Sequence, residues 1–187
     1  MTLNRITDKA YADYVCNLTG DLFHIKAGRI YRESVVVIQI SRKILVKYLL
    51  KIGLKKGNKL KQHLDIPRWI KKEHRYVMAC VRGLIDTDGS LYLHKYTSNG
   101  KIYYYRKISF SSRSKYLIKS VKEIFESITL HPKIDCRGDI RLYNTNEVKT
   151  YFSIIGSHNP KHIKKFIYAY GEGASRHGRG LLNLARD

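Results

Sequence analysis

The run 75–93, Arg-Tyr-Val-Met-Ala-Cys-Val-Arg-Gly-Leu-Ile-Asp-Thr-Asp-Gly-Ser-Leu-Tyr-Leu, carries the chemistry most open to question in this chain. Two carboxylates, Asp86 and Asp88, stand two positions apart, followed at once by Gly89. The mostly apolar residues before them read as a helix and those after them as a strand. An acid at a helix C-terminus meets the negative end of the macrodipole, which costs about 0.3–1 kcal/mol unless a cation offsets it. A lysine, an arginine or a divalent metal can supply that cation.

The composition says what such a site would face. Lys and Arg total 36 against 15 Asp and Glu, a net charge of +21, and that excess suits a polyanion. A membrane surface would require a long apolar span or a basic amphipathic helix with a free apolar face, and the sequence has neither. Nucleic acid is therefore the expected partner. Cys16, Cys80 and Cys136 are far apart and fit no metal-ligand spacing; Cys16 and Cys80, in apolar helical runs, are expected as buried thiols of a reduced, intracellular protein, with a cytoplasmic location.

The elements that must position these residues follow from periodicity. Thr7 or Asp8 caps a short helix over 9–18, and Gly20-Asp21 ends it. Residues 22–26 read as a strand, Ala27-Gly28 as a hairpin turn and 30–40 as a long second strand. Ile44, Leu45, Tyr48, Leu49 and Ile52 fall at helical spacing within 41–54. Pro67 starts a short helix. A helix over 73–87, a strand over 90–96, a turn at Ser98-Asn99-Gly100 and a strand over 101–111 come next. An amphipathic helix over 114–128, a hairpin over 133–143 and a helix over 144–155 complete the pattern, with a polar loop at 156–161 and a frayed tail beyond 171.

An α+β repeat is visible in this order. Ser41-Arg42 and Leu45-Val46-Lys47 echo Ser112-Arg113 and Leu117-Ile118-Lys119. Helix, carboxylate, hairpin and helix thus occur twice, with Asp21 matched to Asp88. The expected division is a first repeat over 7–62, a linker over 63–72, a second repeat over 73–170 and a flexible tail over 171–187.

Val81-Arg82-Gly83-Leu84-Ile85-Asp86-Thr87-Asp88-Gly89 resembles the motif that names the LAGLIDADG homing endonucleases, departing from it at the first two positions and at Thr87. Ile66-Pro67-Arg68-Trp69-Ile70 resembles the linker segment of the intein and intron branch. The resemblance implies an α+β LAGLIDADG homing-endonuclease fold: two pseudo-symmetric repeats, antiparallel DNA-binding sheets and a central two-helix packing interface. It implies that Gly83, with Cys16 in a degenerate first motif, sits at the helix packing contact. It implies that Asp88 and Asp21 hold Mg2+ or Mn2+, while Asp86 is a structural residue. An alternative alignment puts Thr19, not Asp21, at the first acid position. Metal held this way lowers the pKa of an attacking water and stabilises the leaving oxygen. The resemblance further implies a basic residue near the scissile phosphate, Lys161 in the second repeat and Lys59 in the first. It also places Ser112 where a polar residue orients water, a helix cap being the competing role.

A two-stranded ribbon fits the major groove and reads it with alternate side chains. The expected DNA-facing set of the second repeat is Tyr92, His94, Lys101, Tyr103, Tyr105 and Lys107, extended by Arg113 and Arg141. His24, Lys26, Arg29, Tyr31 and Arg32 are the first-repeat analogues. The function so implied is site-specific double-strand cleavage of DNA by a monomer. A non-cleaving relative, such as an RNA maturase or a DNA-binding regulator, and a homodimer of second repeats are the competing readings.

Overall fold

The apolar side of the motif helix is the centre of the larger core. In the computed structural model, which describes residues 1–58 and 61–171 (the last four through the backbone alone), this helix is α4, His74–Asp88. It buries Val77, Met78, Val81 and Ile85. Gly89 then turns the chain without a break into the strand β4, Gly89–Ser98, which pairs along its whole length with β5, Lys101–Phe110. A Cβ at Gly89 would lie 2.5 Å from the Ile85 carbonyl oxygen and 2.8 Å from the Ile85 Cα, so only glycine fits this turn. The acid and the ribbon are thus fused through one residue.

The second half continues with α5 (Lys115–Ser127), β6 (Lys133–Ile134), β7 (Ile140–Leu142), α6 (Thr145–Ile154) and α7 (Pro160–Gly171). Its four strands lie in the order β4-β5-β7-β6. Leu91, Ile108, Phe110, Ile140 and Leu142 on one face of this sheet meet Leu117, Ile118, Val121 and Phe125 of α5 and Val148 and Tyr151 of α6. Ser114 and Asn144 cap these two helices through their side chains.

The first half is smaller: β1 (Thr2–Asn4), α1 (Lys9–Phe23), β2 (Gly28–Tyr31), β3 (Val35–Gln39) and α2 (Lys43–Lys51). Its separate core holds Leu3, Tyr11, Ala12, Ala27, Val36 and Ile38. A four-residue helix, α3 (Arg68–Lys71), follows Pro67 and joins the halves. This segment belongs with the second half: Ile66 sits in the larger core, and Lys71 Nζ bonds both Asp65 Oδ2 and Ser120 Oγ.

Several expectations for the first half are corrected here. The helix extends to Phe23, through the residues expected as a strand, and ends where His24 takes a left-handed conformation with its N–H on the Gly20 carbonyl. The hairpin turn falls at 32–34, so the long strand is in fact two. A further strand, β1, lies beside β3. The helix α7 starts at the end of the expected loop and runs through 162–170, the part of the second repeat for which no element was expected.

Strand order also changes the repeat. β1-β3-β2 matches β5-β7-β6, not the sheet beginning at β4. After β1 comes α1, as α5 follows β5, and each helix is followed by a left-handed residue, His24 (φ 52) or Thr129 (φ 63). Tyr11, Ala12 and Thr19 are buried on α1 at the same relative positions as Leu117, Ile118 and Phe125 on α5. After α2 and α6 stand Gly53 (φ 104) and Gly156 (φ 72). The helix bearing Asp21 therefore corresponds to α5, and α4 with β4 has no counterpart among the described residues. The sequence matched Asp21 with Asp88 because an acid follows an apolar helix in both places, a pattern that pairing alone can test.

Two substitutions separate the glycines. Gly89→Ala should lower stability by about 1–3 kcal/mol, since backbone must shift. At Gly83 a Cβ would meet nothing within 4 Å, so Gly83→Ala should raise stability by up to about 1 kcal/mol through helix propensity. Urea unfolding midpoints check both; a Gly89→Ala chain as stable as wild type would contradict the close approach.

Candidate active site and nucleic-acid interface

The two motif acids have opposite environments. Asp86 is 3% exposed and its carboxylate is fully engaged. Oδ1 accepts from Ser157 Oγ (2.5 Å) and Oδ2 from the His158 N–H (2.8 Å), while His162 Nδ1 lies 3.6 Å from Oδ1. Asp88 is exposed, and the contact it makes is with Thr87 Oγ1 at 3.1 Å. Asp86 is thus the structural acid expected from the sequence, and Asp88 is the acid open to a ligand.

The segment 156–162, a short loop that leads into the first turn of α7, seats Asp86 and also joins the halves. Asn159 is buried, and its Nδ2 donates to the Asp86 carbonyl (3.1 Å) and to Asp8 Oδ1 (3.3 Å). Lys161 Nζ lies 2.6 Å from Asp8 Oδ1. Burial works against the Asp8 carboxylate, yet bonds from Lys161, Asn159 and the Asn4 N–H hold its pKa below the ordinary value. Burial, then the negative charges of Asp86, Asp8 and Asp88 with a share from Tyr14, pushes the Tyr11 phenol well up. It is the N-terminal end of α1 that meets the acid end of α4.

Asp21 lies elsewhere. α1 rises about 20 Å between Asp8 and Asp21. Asp21 is exposed there, lining an open cavity with Cys16, Gly20, His24 and Arg29. It is therefore not brought to Asp88, and Thr19, buried with its hydroxyl on the Val15 carbonyl, is not either. The packing expected at Gly83 and Cys16 is also not made: Gly83 faces open space, and Cys16 Sγ instead accepts from Arg29 Nε at 3.2 Å. Ser112 accepts from the Ser114 N–H at 3.1 Å, the role of a residue leading into a helix. Lys59 lies outside the described residues.

The β4–β5 register puts the expected DNA-facing residues on one face. Tyr92 pairs with Lys107, His94 with Tyr105, Tyr96 with Tyr103 and Ser98 with Lys101. His94, Lys101, Tyr103 and Tyr105 are exposed, and Lys107 Nζ sits 5.0 Å from the centre of the Tyr143 ring. Arg141 continues the face but is partly committed: it binds Asp135 at 2.6 Å and donates to Tyr92 Oη at 2.9 Å. Bonded to Asp135 in this way, its pKa is raised further. Arg113 is exposed beside α5. Tyr96 was absent from the expected set, although its spacing from Tyr92 and His94 places it on the same face.

The first half contributes less to such a face. Arg29 and Tyr31 pair with the buried Ile38 and Val36, and so share the side of the sheet that faces α1. There Arg29 binds Asp13 at 2.5 Å, and Arg5 stacks over the Tyr31 ring. Arg29 and Tyr31 both remain exposed, but on the face of the sheet that carries α1 rather than on the opposite one. His24, Lys26 and Arg32 are exposed, outside the strands.

One histidine links the halves through its ring. Arg82 donates to His158 Nε2 (3.0 Å), so that nitrogen accepts; Nδ1 therefore carries the proton and donates to Tyr14 Oη (2.6 Å). Burial first, then the Arg82 charge, lowers the His158 pKa. The unfolded chain thus takes up the proton first, and stability is complete above about pH 6.5 and declines as pH falls through it. His158→Gln should flatten this decline, as thermal unfolding between pH 5 and 7 would show.

Comparison with solved structures bears on the fold. The LAGLIDADG meganuclease I-AabMI, solved bound to uncleaved DNA, aligns with a TM-score of 0.55 at 14% identity, covering 91% of this chain and 80% of that one. The LAGLIDADG homing endonuclease I-GzeII, solved in complex with its DNA target, aligns with a TM-score of 0.38 at 14% identity, over 50% of this chain and 35% of that one. The chain thus spans about a third of the I-GzeII chain. No family model and no curated protein matches the sequence. The fold is that of the LAGLIDADG meganucleases, as I-AabMI shows over most of the chain. No described helix is long and apolar enough to cross a membrane.

Proposed function

We propose that the chain binds double-stranded DNA through the β4–β5 ribbon and hydrolyses a phosphodiester bond at Asp88. The observation that carries this reading is continuity: the exposed acid at the end of α4 is separated by Gly89 alone from a ribbon whose outer face holds Lys101, Lys107, His94 and four tyrosines. The I-AabMI likeness, to a nuclease of this fold solved on DNA, supports it. A ribbon of this width lies in the major groove, where exposed tyrosine and histidine tips reach base edges and lysines reach phosphates.

Asp88 would be the protein's own ligand to Mg2+ or Mn2+, since the described residues hold no group of three His, Cys, Asp or Glu side chains that could share an ion. It offers one exposed carboxylate with no cation paired to it among the described residues, and Mg2+ takes few protein ligands beside water and phosphate oxygens. When bound, such an ion supplies an activated water and charge stabilisation at the leaving oxygen. The protein's own part is positioning: Asp86, locked in the 156–162 loop, fixes the end of α4 and hence Asp88. Lys161 supplies a cation on the same loop.

One acid serves one strand. The described residues therefore account for cutting a single strand per bound chain, and the finer reading, a homing endonuclease making a double-strand break, requires a second acid from outside them. A second function, binding without cleavage, is favoured by the same observation, that Asp21 does not reach Asp88.

Supercoiled plasmid carrying the candidate target, incubated with and without Mg2+, distinguishes these. Nicked circle formed only with metal is the expected product, and Asp88→Asn should abolish it while leaving binding intact. Linear product would mean that a second acid arrives, from another copy or segment. Uncut plasmid with tight binding would leave the non-cleaving function. For the interface, Lys101→Ala and Lys107→Ala should each reduce the salt dependence of binding by about 0.9 in log–log slope if each neutralises one phosphate.

A further inference from the structure

Asp8 stands at the N-cap of α1, yet its side chain does not cap the helix. Aspartate at this position ordinarily accepts from the second or third N–H of its own helix. Here the buried carboxylate is turned away: Oδ1 accepts from Lys161 Nζ at 2.6 Å and Asn159 Nδ2 at 3.3 Å, and Oδ2 accepts from the Asn4 N–H at 3.3 Å. A local capping bond is given up for a bond across the halves.

Those bonds have a direction. Asn159 Nδ2 bridges Asp8 to the backbone carbonyl of Asp86, two residues before Asp88, and Asn159 Oδ1 accepts from the Lys161 N–H at 3.0 Å. Lys161 is therefore fixed at both its backbone and its ammonium, two residues from the Asn159 side chain that bonds the acid end of α4. The ammonium has three protons, Asp8 takes one, and the side chain remains 30% exposed. A lysine stem held in this way need not be ordered again when an anionic oxygen arrives.

We infer that Asp8 is a positioning residue of the Asp88 site: it aims the Lys161 ammonium at a DNA phosphate bound beside Asp88. The first half would thus contribute Asp8, through Lys161, rather than Asp21. For the identity of the phosphate as the reacting one, this rests on the nuclease reading.

The test uses the full chain labelled with 15N-lysine, its Lys161 ammonium signal assigned by its loss in Lys161→Arg. A signal slowed in exchange by the Asp8 bond is expected in wild type and in Asp21→Asn, and it should shift on adding a short DNA duplex. In Asp8→Asn it should broaden away without DNA and respond weakly to the duplex. Asp8→Ser, which can cap α1 and so keep the fold, should behave like Asp8→Asn. On cleavable DNA both Asp8 variants should lose at least about tenfold in kcat with KM nearly unchanged. Wild-type levels of Lys161 signal, duplex response and kcat in folded Asp8→Ser would overturn the inference, as would a wild-type Lys161 signal that ignores the duplex. If wild type does not cut but its Lys161 signal still shifts in an Asp8-dependent way, the nuclease reading fails and the aiming of Lys161 at phosphate stands.

Discussion

The burial of one carboxylate organises this molecule. Asp86 lies in the interior at the negative end of α4, a costly position for a charge that is not fully hydrogen-bonded. Ser157 and the His158 N–H answer it, with bonds to a charged acceptor worth on the order of 1.5–3 kcal/mol each. Satisfying Asp86 obliges the 156–162 loop to lie against α4, and that loop brings Asn159, Lys161 and His158 to the junction of the halves. Without the Asp86 carboxylate the segment would keep the Arg82 bond to the Ile155 carbonyl and the Asn159 bond to the Asp86 carbonyl but lose the two bonds that orient Ser157 and His158.

From that constraint the division of labour between the two acids follows. A carboxylate sequestered from water with its oxygens bonded cannot also serve a ligand, so the acid two residues on, past the turn of the helix, is left exposed. Gly89 then joins it to the ribbon with no room for a side chain. The distance between the site and the surface that would read DNA is thereby fixed by covalent geometry rather than by packing, while the position of Lys161 is fixed by its bonds to Asp8 and Asn159. The open face at Gly83 is consistent with a molecule whose halves meet through a loop rather than through close helix contact.

Much of this was legible in the sequence. The motif helix, its carboxylates, the ribbon and α5 were given by strong periodicity, a hairpin signal at Asn99-Gly100 and the motif's own spacing. The alternation of Tyr92, His94, Lys101, Tyr103, Tyr105 and Lys107 was sufficient to put them on one face. The first half was less legible for physical reasons. Leu22 to Lys26 has strand-like composition, but the helix runs on to Phe23 and is ended there by a left-handed His24, a conformation no propensity announces. β1 has three residues and is a strand only because Val35–Gln39 pairs with it. The match of Asp21 to Asp88 rested on local pattern, whereas the equivalence of α1 to α5 is a property of strand order. The Asp8–Asn159–Asp86 chain spans contacts of more than seventy residues in sequence, beyond any reading of local spacing.

The central claim is that the reactive centre lies at the end of α4, against the 156–162 loop, and not at the end of α1. Iron-mediated backbone cleavage tests it most directly: Fe2+ is loaded onto the DNA-bound protein in place of Mg2+ and activated with ascorbate and peroxide, and the fragments are mapped by mass spectrometry. Scission close to Asp88 and within 157–161, suppressed by excess Mg2+ and absent in Asp88→Asn, is the predicted result. Scission centred on Asp21, or cuts that excess Mg2+ does not suppress, would contradict it.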